Sequence, residues 1–259
     1  MKGAIRMARL EGKCAVITGA TSGLGEATAI MFAKEGAKVV CTGRNQEKGD
    51  ALIAKITEAG GEAYFIAGDM RKKEDVQALH DFAMEKLGKV NVLMNSAGVL
   101  VHKPFLEQND DDFNFIMETN LRAYIWTMQA FIPEMEAIGE GSIINIASIS
   151  AFWPELNSYF YGCSKAAVAN LSMNVACEYA KKGIRINTIE PGPVLTNMTP
   201  KEVAEHPEDF AAGICPLGRI GVPDDIAYAA TYFASDESAW VTASTLAIDG
   251  GVHISNVAL

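Results

Sequence analysis

Tyr161 and Lys165 stand four residues apart, a spacing that sets a phenol and an ammonium side by side on one helical face. A phenol with its ordinary pKa of about 10 is a poor base near neutrality. A neighbouring cation favours phenolate and would lower that value, which suits proton exchange with an alcohol or carbonyl oxygen. Ser148, thirteen residues earlier, ends an apolar run, where its hydroxyl can hydrogen-bond a substrate carbonyl. Asn120 falls inside a helical segment, where an amide is unfavourable and needs another justification. Tyr-x-x-x-Lys alone recurs by chance, and Tyr159, two residues before Tyr161, has no lysine partner.

A second group lies near the start. Thr18-Gly19-Ala20-Thr21-Ser22-Gly23-Leu24-Gly25 closes a β-branched run and opens directly into a helix. Glycines there let the backbone turn sharply and let a pyrophosphate approach the free N–H groups of a helix start. The spacing is G-x-x-x-G-x-G, not the G-x-G-x-x-G fingerprint, so position in the first β-α unit carries the dinucleotide reading. The end of the second strand then selects the cofactor. A carboxylate about 20 residues past the glycines would hold the ribose hydroxyls of NAD. This chain has Thr42-Gly43-Arg44-Asn45 instead, with no carboxylate before Glu47. Arg44 can accept a 2′-phosphate through its planar fork, so NADP(H) is expected in preference to NAD(H), although Ser22 leaves the glycine turn without a second basic residue. A bound oxidised nicotinamide would add positive charge beside Tyr161.

The elements that must position these groups alternate strictly. Strands are expected at Cys14–Thr18, Lys38–Thr42, Ala63–Ala67, Val90–Met94, Ser142–Ala147, Ile184–Ile189 and Thr245–Ile248. Helices are expected at Gly23–Lys34, Gln46–Ala59, Lys73–Leu87, Asp110–Ala137, Ser158–Lys181 and Asp224–Ala234, with an irregular Pro-rich stretch before the last. Strands apolar on both faces, separated by helices, require a parallel sheet covered on each side. The expected fold is a single α/β domain over residues 1–259: a doubly wound, Rossmann-type, seven-stranded sheet in three layers. Its ligand crevice lies at the strand carboxyl ends.

Composition narrows the function. Of 259 residues, 22 are Lys or Arg and 32 Asp or Glu, a net charge of -10 that repels nucleic acid and anionic lipid. No apolar stretch follows Lys2, Arg6 and Arg9, and none is long enough to span a bilayer, so a cytoplasmic protein is expected. The four histidines are not paired at metal-ligand spacing, and no metal is expected. Five cysteines without a C-x-x-C pair read as small buried hydrophobes in a reducing compartment.

Taken in order, Thr18–Gly25, Asp69, Asn95-Ser96-Ala97-Gly98, Asn120, Ser148, Tyr161/Lys165 and Pro191-Gly192 with Thr196 resemble the short-chain dehydrogenase/reductase family over nearly all of Leu10 to Gly251. The resemblance implies that Tyr161 is the catalytic acid/base and that Ser148 polarises the substrate oxygen. It implies that Lys165 holds the nicotinamide ribose while lowering the tyrosine pKa, and that Asn120 anchors a water relaying protons to solvent. Cofactor contacts are implied for Gly19, Thr21, Ser22, Gly23, Leu24 and Gly25, with Asp69 on the adenine amine and Met70 supplying backbone contacts. Asn95, Ala97 and Gly98 would floor the adenosine ribose, Val194 and Thr196 would grip the carboxamide, and Pro191-Gly192 would shape the nicotinamide pocket. Two departures stand out. Ser96 replaces an amide that braces the central sheet in the family, which puts local stability in question. Glu190 sits where small residues are usual, and reads as a solvated loop charge.

The substrate pocket is expected between Ile149–Asn157, Val99–Phe105 and a lid segment within residues 191–221. Phe152 and Trp153 beside Ser148 suit a bulky apolar alcohol or ketone, a hydroxysteroid for example; packing against neighbouring helices explains them equally well. A 3-oxoacyl-carrier-protein reductase is the alternative, yet Lys201–Asp209 carries four carboxylates against one lysine and would repel an acidic carrier. A non-catalytic nucleotide sensor is the third reading, and it would be marked by loss of Tyr161 or Lys165. The resemblance also implies a homotetramer built on the two long helices, the second carrying Ala166, Ala167, Ala169 and Ala176. The tail from Val252 to Leu259 either covers a neighbouring subunit's pocket or frays.

Overall fold

Seven short runs of β-branched and apolar residues lie side by side in the computed structural model of this chain, which describes residues 8–255. They are β1 (Cys14–Thr18), β2 (Lys38–Gly43), β3 (Glu62–Ala67), β4 (Val92–Asn95), β5 (Gly141–Ile146), β6 (Ile184–Pro191) and β7 (Thr245–Ile248). All pairings are parallel, in the order β3-β2-β1-β4-β5-β6-β7. The order reverses between β1 and β4, where Thr18 pairs with Asn95 and Asn95 with Asn145. That switch opens a crevice at the carboxyl ends.

Helices cover both faces, as a sheet buried on two sides demands. The helices α1 (Gly23–Lys34), α2 (Gln46–Glu58) and α9 (Pro223–Ala234) seal one side, with Phe32, Leu52, Ile56, Ile226 and Phe233 buried against Ile17 and Val39. On the other side lie α3 (Lys73–Leu87), α5 (Ala123–Ile138) and α6 (Tyr159–Tyr179). Leu79, Phe131 and Val168 from these helices pack on Val16 and Leu93. Each such fully buried side chain contributes about 1.5–3 kcal/mol.

Several boundaries move. β4 starts at Val92 and runs to Asn95, not Val90–Met94, because Asn91 turns its side-chain oxygen to the Cys14 amide. The long helix expected over Asp110–Ala137 is α4 (Asp110–Met117) and α5 joined by a π-turn, Glu118–Arg122, with Asn120 at its centre. The stretch expected to be irregular folds into α7 (Lys201–Glu205) and α8 (Pro207–Ile214), whose Ala211 and Phe210 join a small cluster with Ile149 and Val252. Only Cys14, Cys41 and Cys215 are buried; Cys163 and Cys177 fall on outward positions of α6 and are exposed. Lys2, Arg6 and tail residues 256–259 lie outside the described residues. Among the described residues no helix is long and apolar enough to cross a membrane.

The concern over Ser96 is also resolved. The sheet is braced by Asn95, fully buried, whose Nδ2 donates to Asn145 Oδ1 at 2.9 Å while its Oδ1 accepts from Thr127 Oγ1 at 2.7 Å. Asn145 passes the chain on to Ser172 at 2.9 Å. The amide at position 95 therefore supports the fold, and position 96 needs no amide. Asn95→Ala leaves Asn145 Oδ1 and the Thr127 hydroxyl without this partner, and should lower the unfolding free energy by about 2 kcal/mol in urea denaturation with α/β content preserved.

Candidate active site

The carboxyl ends of β4 and β5, the π-turn and the first turns of α6 converge on one point. Ser148 follows β5 with extended backbone and opens a short 3₁₀ turn, Ile149–Ala151. Tyr161 and Lys165 project from successive turns of α6 toward it. The Lys165 ammonium lies 5.6 Å from the Tyr161 ring centroid and 5.6 Å from that of Tyr124. Its Nζ donates to the Ile146 carbonyl at 2.9 Å. Tyr124 Oη donates to the same carbonyl at 3.3 Å. The four predicted residues thus come together, with Gly98 beside them: a Cβ there would sit 3.7 Å from both Asn120 Oδ1 and Lys165 Nζ.

The electrostatics differ from the expectation. Burial pushes the Tyr161 phenol up to about 12; a hydrogen bond with Ser148 works against this, and the Glu155 charge adds to it. Burial likewise pushes Lys165 down to about 7. In the chain alone, then, the ammonium does not lower the phenol pKa. It faces the ring rather than bonding the hydroxyl, and desolvation opposes the charged form of each group.

The Asn120 side chain is bonded within the fold. Its Oδ1 accepts from Val99 N at 2.8 Å, and its Nδ2 donates to Val99 O at 2.9 Å and to Ser164 Oγ at 3.1 Å. The amide is consumed as a brace, so any water held by Asn120 must sit on its main chain, in a turn whose carbonyls leave the i→i+4 pattern. Ser164, whose hydroxyl donates to the Tyr161 carbonyl at 2.7 Å, completes the brace. Sequence reading missed it, although it lies within the Tyr-Gly-Cys-Ser-Lys run. It missed Gly162 too, where a Cβ would stand 2.9 Å from the Ser150 carbonyl and hold α6 off the Ser148 turn.

The glycine turn fits a dinucleotide. Gly19, at φ +67°, touches the β4 loop so closely that a Cβ would come within 2.7 Å of Ala97 N. Thr18 Oγ1, which the sequence reading passed over, fixes that loop by accepting from Ser96 N and Ala97 N at 3.2 and 3.3 Å. A Cβ on Gly25 would strike the Gly19 carbonyl, and Gly23 has φ +55°. Ser22 caps α1 without a side-chain hydrogen bond, and Leu24 packs into the core behind it. Thr21 abuts Gly43 at the end of β2, next to exposed Arg44. This is a cradle only glycine leaves open, ending in free N–H groups that suit a pyrophosphate.

Other predicted contacts are placed with qualification. Asp69 is forked by Arg71, Nη2 to Oδ2 at 2.5 Å and Nε to Oδ1 at 3.0 Å, which holds its carboxyl below the usual range. Sequence reading missed Arg71, although it lies two residues from Asp69. Met70 is buried in the core behind this loop. Gly192 bonds Ile248 O after Pro191, and any Cβ there would collide with Asp249. The Val194 carbonyl accepts from Thr199 Oγ1 at 3.0 Å, while the Thr196 methyl stands about 3.3 Å from where a Gly23 Cβ would be. The 194–199 turn therefore folds over the glycine turn.

Glu190 is not a solvated charge: it is 3% exposed within β6, and burial pushes its carboxyl up to about 7. Trp153 packs with Ile149, Leu195 and Phe210, whereas Phe152 is half exposed, edge-on to His253 at 5.5 Å.

Residues 13–207 match the model of the short chain dehydrogenase family. The chain is 38% identical to 7alpha-hydroxysteroid dehydrogenase of Escherichia coli (strain K12) over 243 residues, covering 94% of this chain and 95% of that one. It is 37% identical to 3beta-hydroxysteroid dehydrogenase 1 of Eggerthella lenta over 249 residues, covering 95% of each. To a 3-oxoacyl-[acyl-carrier-protein] reductase of Thermotoga maritima it is 32% identical, covering 95% of this chain and all of that one. A solved 7α-hydroxysteroid dehydrogenase, complexed with NADH and 7-oxo glycochenodeoxycholic acid, superposes with a TM-score of 0.89 at 37% identity, covering 95% and 96%. The chain belongs to the short-chain dehydrogenase/reductase family. It is an NAD(P)-dependent oxidoreductase acting on CH–OH groups, interconverting a secondary alcohol and a ketone.

The buried ammonium has a thermodynamic signature. The Lys165 pKa is near 7 when folded and about 10.4 when unfolded, so the unfolded state binds more protons between these values. Its contribution to stability therefore rises with pH from about 7 to 10 and is lost as pH falls through 7. Lys165→Met should flatten that rise, read as the pH dependence of urea unfolding of wild type minus variant.

Proposed function

We propose that this enzyme prefers NADP(H) and acts on a neutral, apolar secondary alcohol or ketone, with hydroxysteroids as the substrate class. The observation that carries the reaction is the convergence of Ser148, Tyr161 and Lys165 beside a glycine cradle at the sheet's switch point. Hydride exchange with the carbinol carbon is the chemistry that a nicotinamide dinucleotide supplies when bound there. Tyr161 takes the alcohol proton in oxidation and returns it in reduction, and Ser148 holds the same oxygen. Lys165 has one donor engaged by Ile146 and two left for ribose hydroxyls. Positive charge from a bound oxidised ring joins the ammonium in favouring phenolate, which offsets the burial of Tyr161.

The cofactor preference rests on Arg44, exposed at the end of β2 with no carboxylate after it in the chain before Glu47; Asp69, whose charge it feels, is already engaged by Arg71. Asp69 is the group nearest in type to an adenine-amine acceptor, and the Ser96–Gly98 backbone supplies the floor. The steroid names of the Escherichia coli and Eggerthella lenta relatives support an apolar substrate, as do exposed Phe152 and Leu156 in the loop after β5. The acidic segment Glu202, Glu205, Glu208 and Asp209 disfavours an acyl carrier protein, the second reading that the Thermotoga relative raises. An exposed groove of Ile125, Ile132, Leu171 and Val175 between α5 and α6 supports assembly as a homotetramer, and the cysteine usage supports a cytoplasmic setting.

Purified protein assayed with 3- and 7-hydroxysteroids and with a carrier-bound 3-oxoacyl thioester separates the two readings; turnover of the thioester alone refutes the first. Tyr161→Phe should reduce kcat by about 10²–10⁴-fold with cofactor binding retained. Arg44→Ala should weaken NADP(H) at least tenfold relative to NAD(H), measured as the ratio of Kd values by fluorescence titration.

A further inference from the structure

Asp69, the carboxylate that the family pattern offers to an adenine amine, is already filled by its own loop. An ionised carboxylate has about four lone-pair sites, two on each oxygen. Asp69 Oδ1 accepts from Arg71 N at 3.1 Å and from Arg71 Nε at 3.0 Å. Asp69 Oδ2 accepts from Arg71 Nε at 3.1 Å and from Arg71 Nη2 at 2.5 Å. A single residue therefore occupies both oxygens, and no directed acceptor is left over for a ligand.

Single-point ion pairs at a surface are worth little, but this one is two-pronged and held from behind. The Arg71 guanidinium carbon lies 5.4 Å from the ring centroid of Phe115 on α4, and the Glu118 charge also acts on it. The loop beneath is equally fixed. Gly68 N donates to the Gly43 carbonyl at 3.0 Å, Asp69 N to Asp75 Oδ2 at 2.8 Å, and Lys72 N to the Asp69 carbonyl at 2.8 Å. Met70 is buried in the core. Asp69 cannot turn toward a ligand without breaking the fork. The charge of Arg44 acts on the same carboxyl, so the ends of β2 and β3 face one space, where the base of a dinucleotide is expected.

An amine arriving at Asp69 would displace an Arg71 N–H and exchange one charge-assisted bond for another, with little net gain. Were the carboxylate unfilled, the same bond would be gained outright. We propose that Arg71, by filling Asp69, makes this enzyme indifferent to the exocyclic amine of its cofactor's base. A purine dinucleotide lacking that amine is then an equally good ligand. The proposal rests on the dinucleotide reading of the crevice and departs from the amine contact expected of Asp69.

Two reduced dinucleotides test this by binding alone: NADPH, and its analogue with unsubstituted purine in place of adenine. The analogue keeps the ring nitrogens as acceptors and lacks only the amine. Each is titrated into the enzyme, followed by nicotinamide fluorescence, and the ratio of Kd values is read. The wild-type ratio should lie within about twofold of one. In Arg71→Ala the freed carboxylate should favour NADPH by about tenfold. Adding Asp69→Ala to that variant should return the ratio to its wild-type value. A larger wild-type preference for NADPH, or a ratio that Arg71→Ala leaves unchanged, overturns the assignment. Equal weakening of both ligands is an unchanged ratio, and would make Arg71 a support of the loop only. Failure of the dinucleotide reading shows separately, as binding of neither ligand to the wild type. Failure of the phosphate preference shows as tighter binding of NADH, and the base ratio is then read in the pair without the 2′-phosphate.

Discussion

Keeping an ammonium in a dry place is the constraint around which this molecule is organised. Lys165 is 3% exposed and has one carbonyl, that of Ile146, and two aromatic faces for company. An unpaired cation in such surroundings is costly, and its fall toward neutrality is the expected response. The cost is tolerable because the surroundings are fixed by backbone that is itself fully bonded. Ile146 belongs to a strand with neighbours on both sides, and the loop after β4 is clamped by the Asn120 amide. Loosening any of these would let water reach the ammonium and remove the difference between this lysine and one on the surface.

The sheet and the site share their supports. Asn95 ends β4 and braces β5 through Asn145, and two residues later the same chain is pressed on Gly19. Thr18 at the end of β1 holds that segment by two main-chain bonds. The ends of three adjacent strands are therefore tied by side-chain hydrogen bonds as well as by the ladder. Residues that look like ligand contacts in a motif turn out to be bonded or packed into the fold through their side chains. Asn95, Asn120 and Met70 all follow this pattern.

Much of the architecture was legible because β-branched runs and helical periodicity are local signals. Cys14–Thr18, Gly23–Lys34, Lys73–Leu87 and Thr245–Ile248 coincide with the elements formed. Tyr161, Lys165, Ser148 and Asn120 were legible through type and spacing. What was not legible depends on contacts distant in sequence. Ser164 reaches Asn120 across 44 residues, and Glu190 is buried by strands and turns that sequence leaves far apart. The π-turn at Glu118–Arg122 has no marker either, since widening a helix by one residue changes no residue type.

That widened turn sets a limit on how this helix can vary. One residue spans about 100° of a regular helix, so excising any one between 118 and 122 would restore ideal hydrogen bonding while rotating all of α4 by about 100° against α5. Asn120 and Val99 would part, and the apolar stripe of α4 that buries Ile116 would face water. The irregular geometry is thus an insertion the chain cannot shed: the shorter, locally better helix belongs to a molecule without this site.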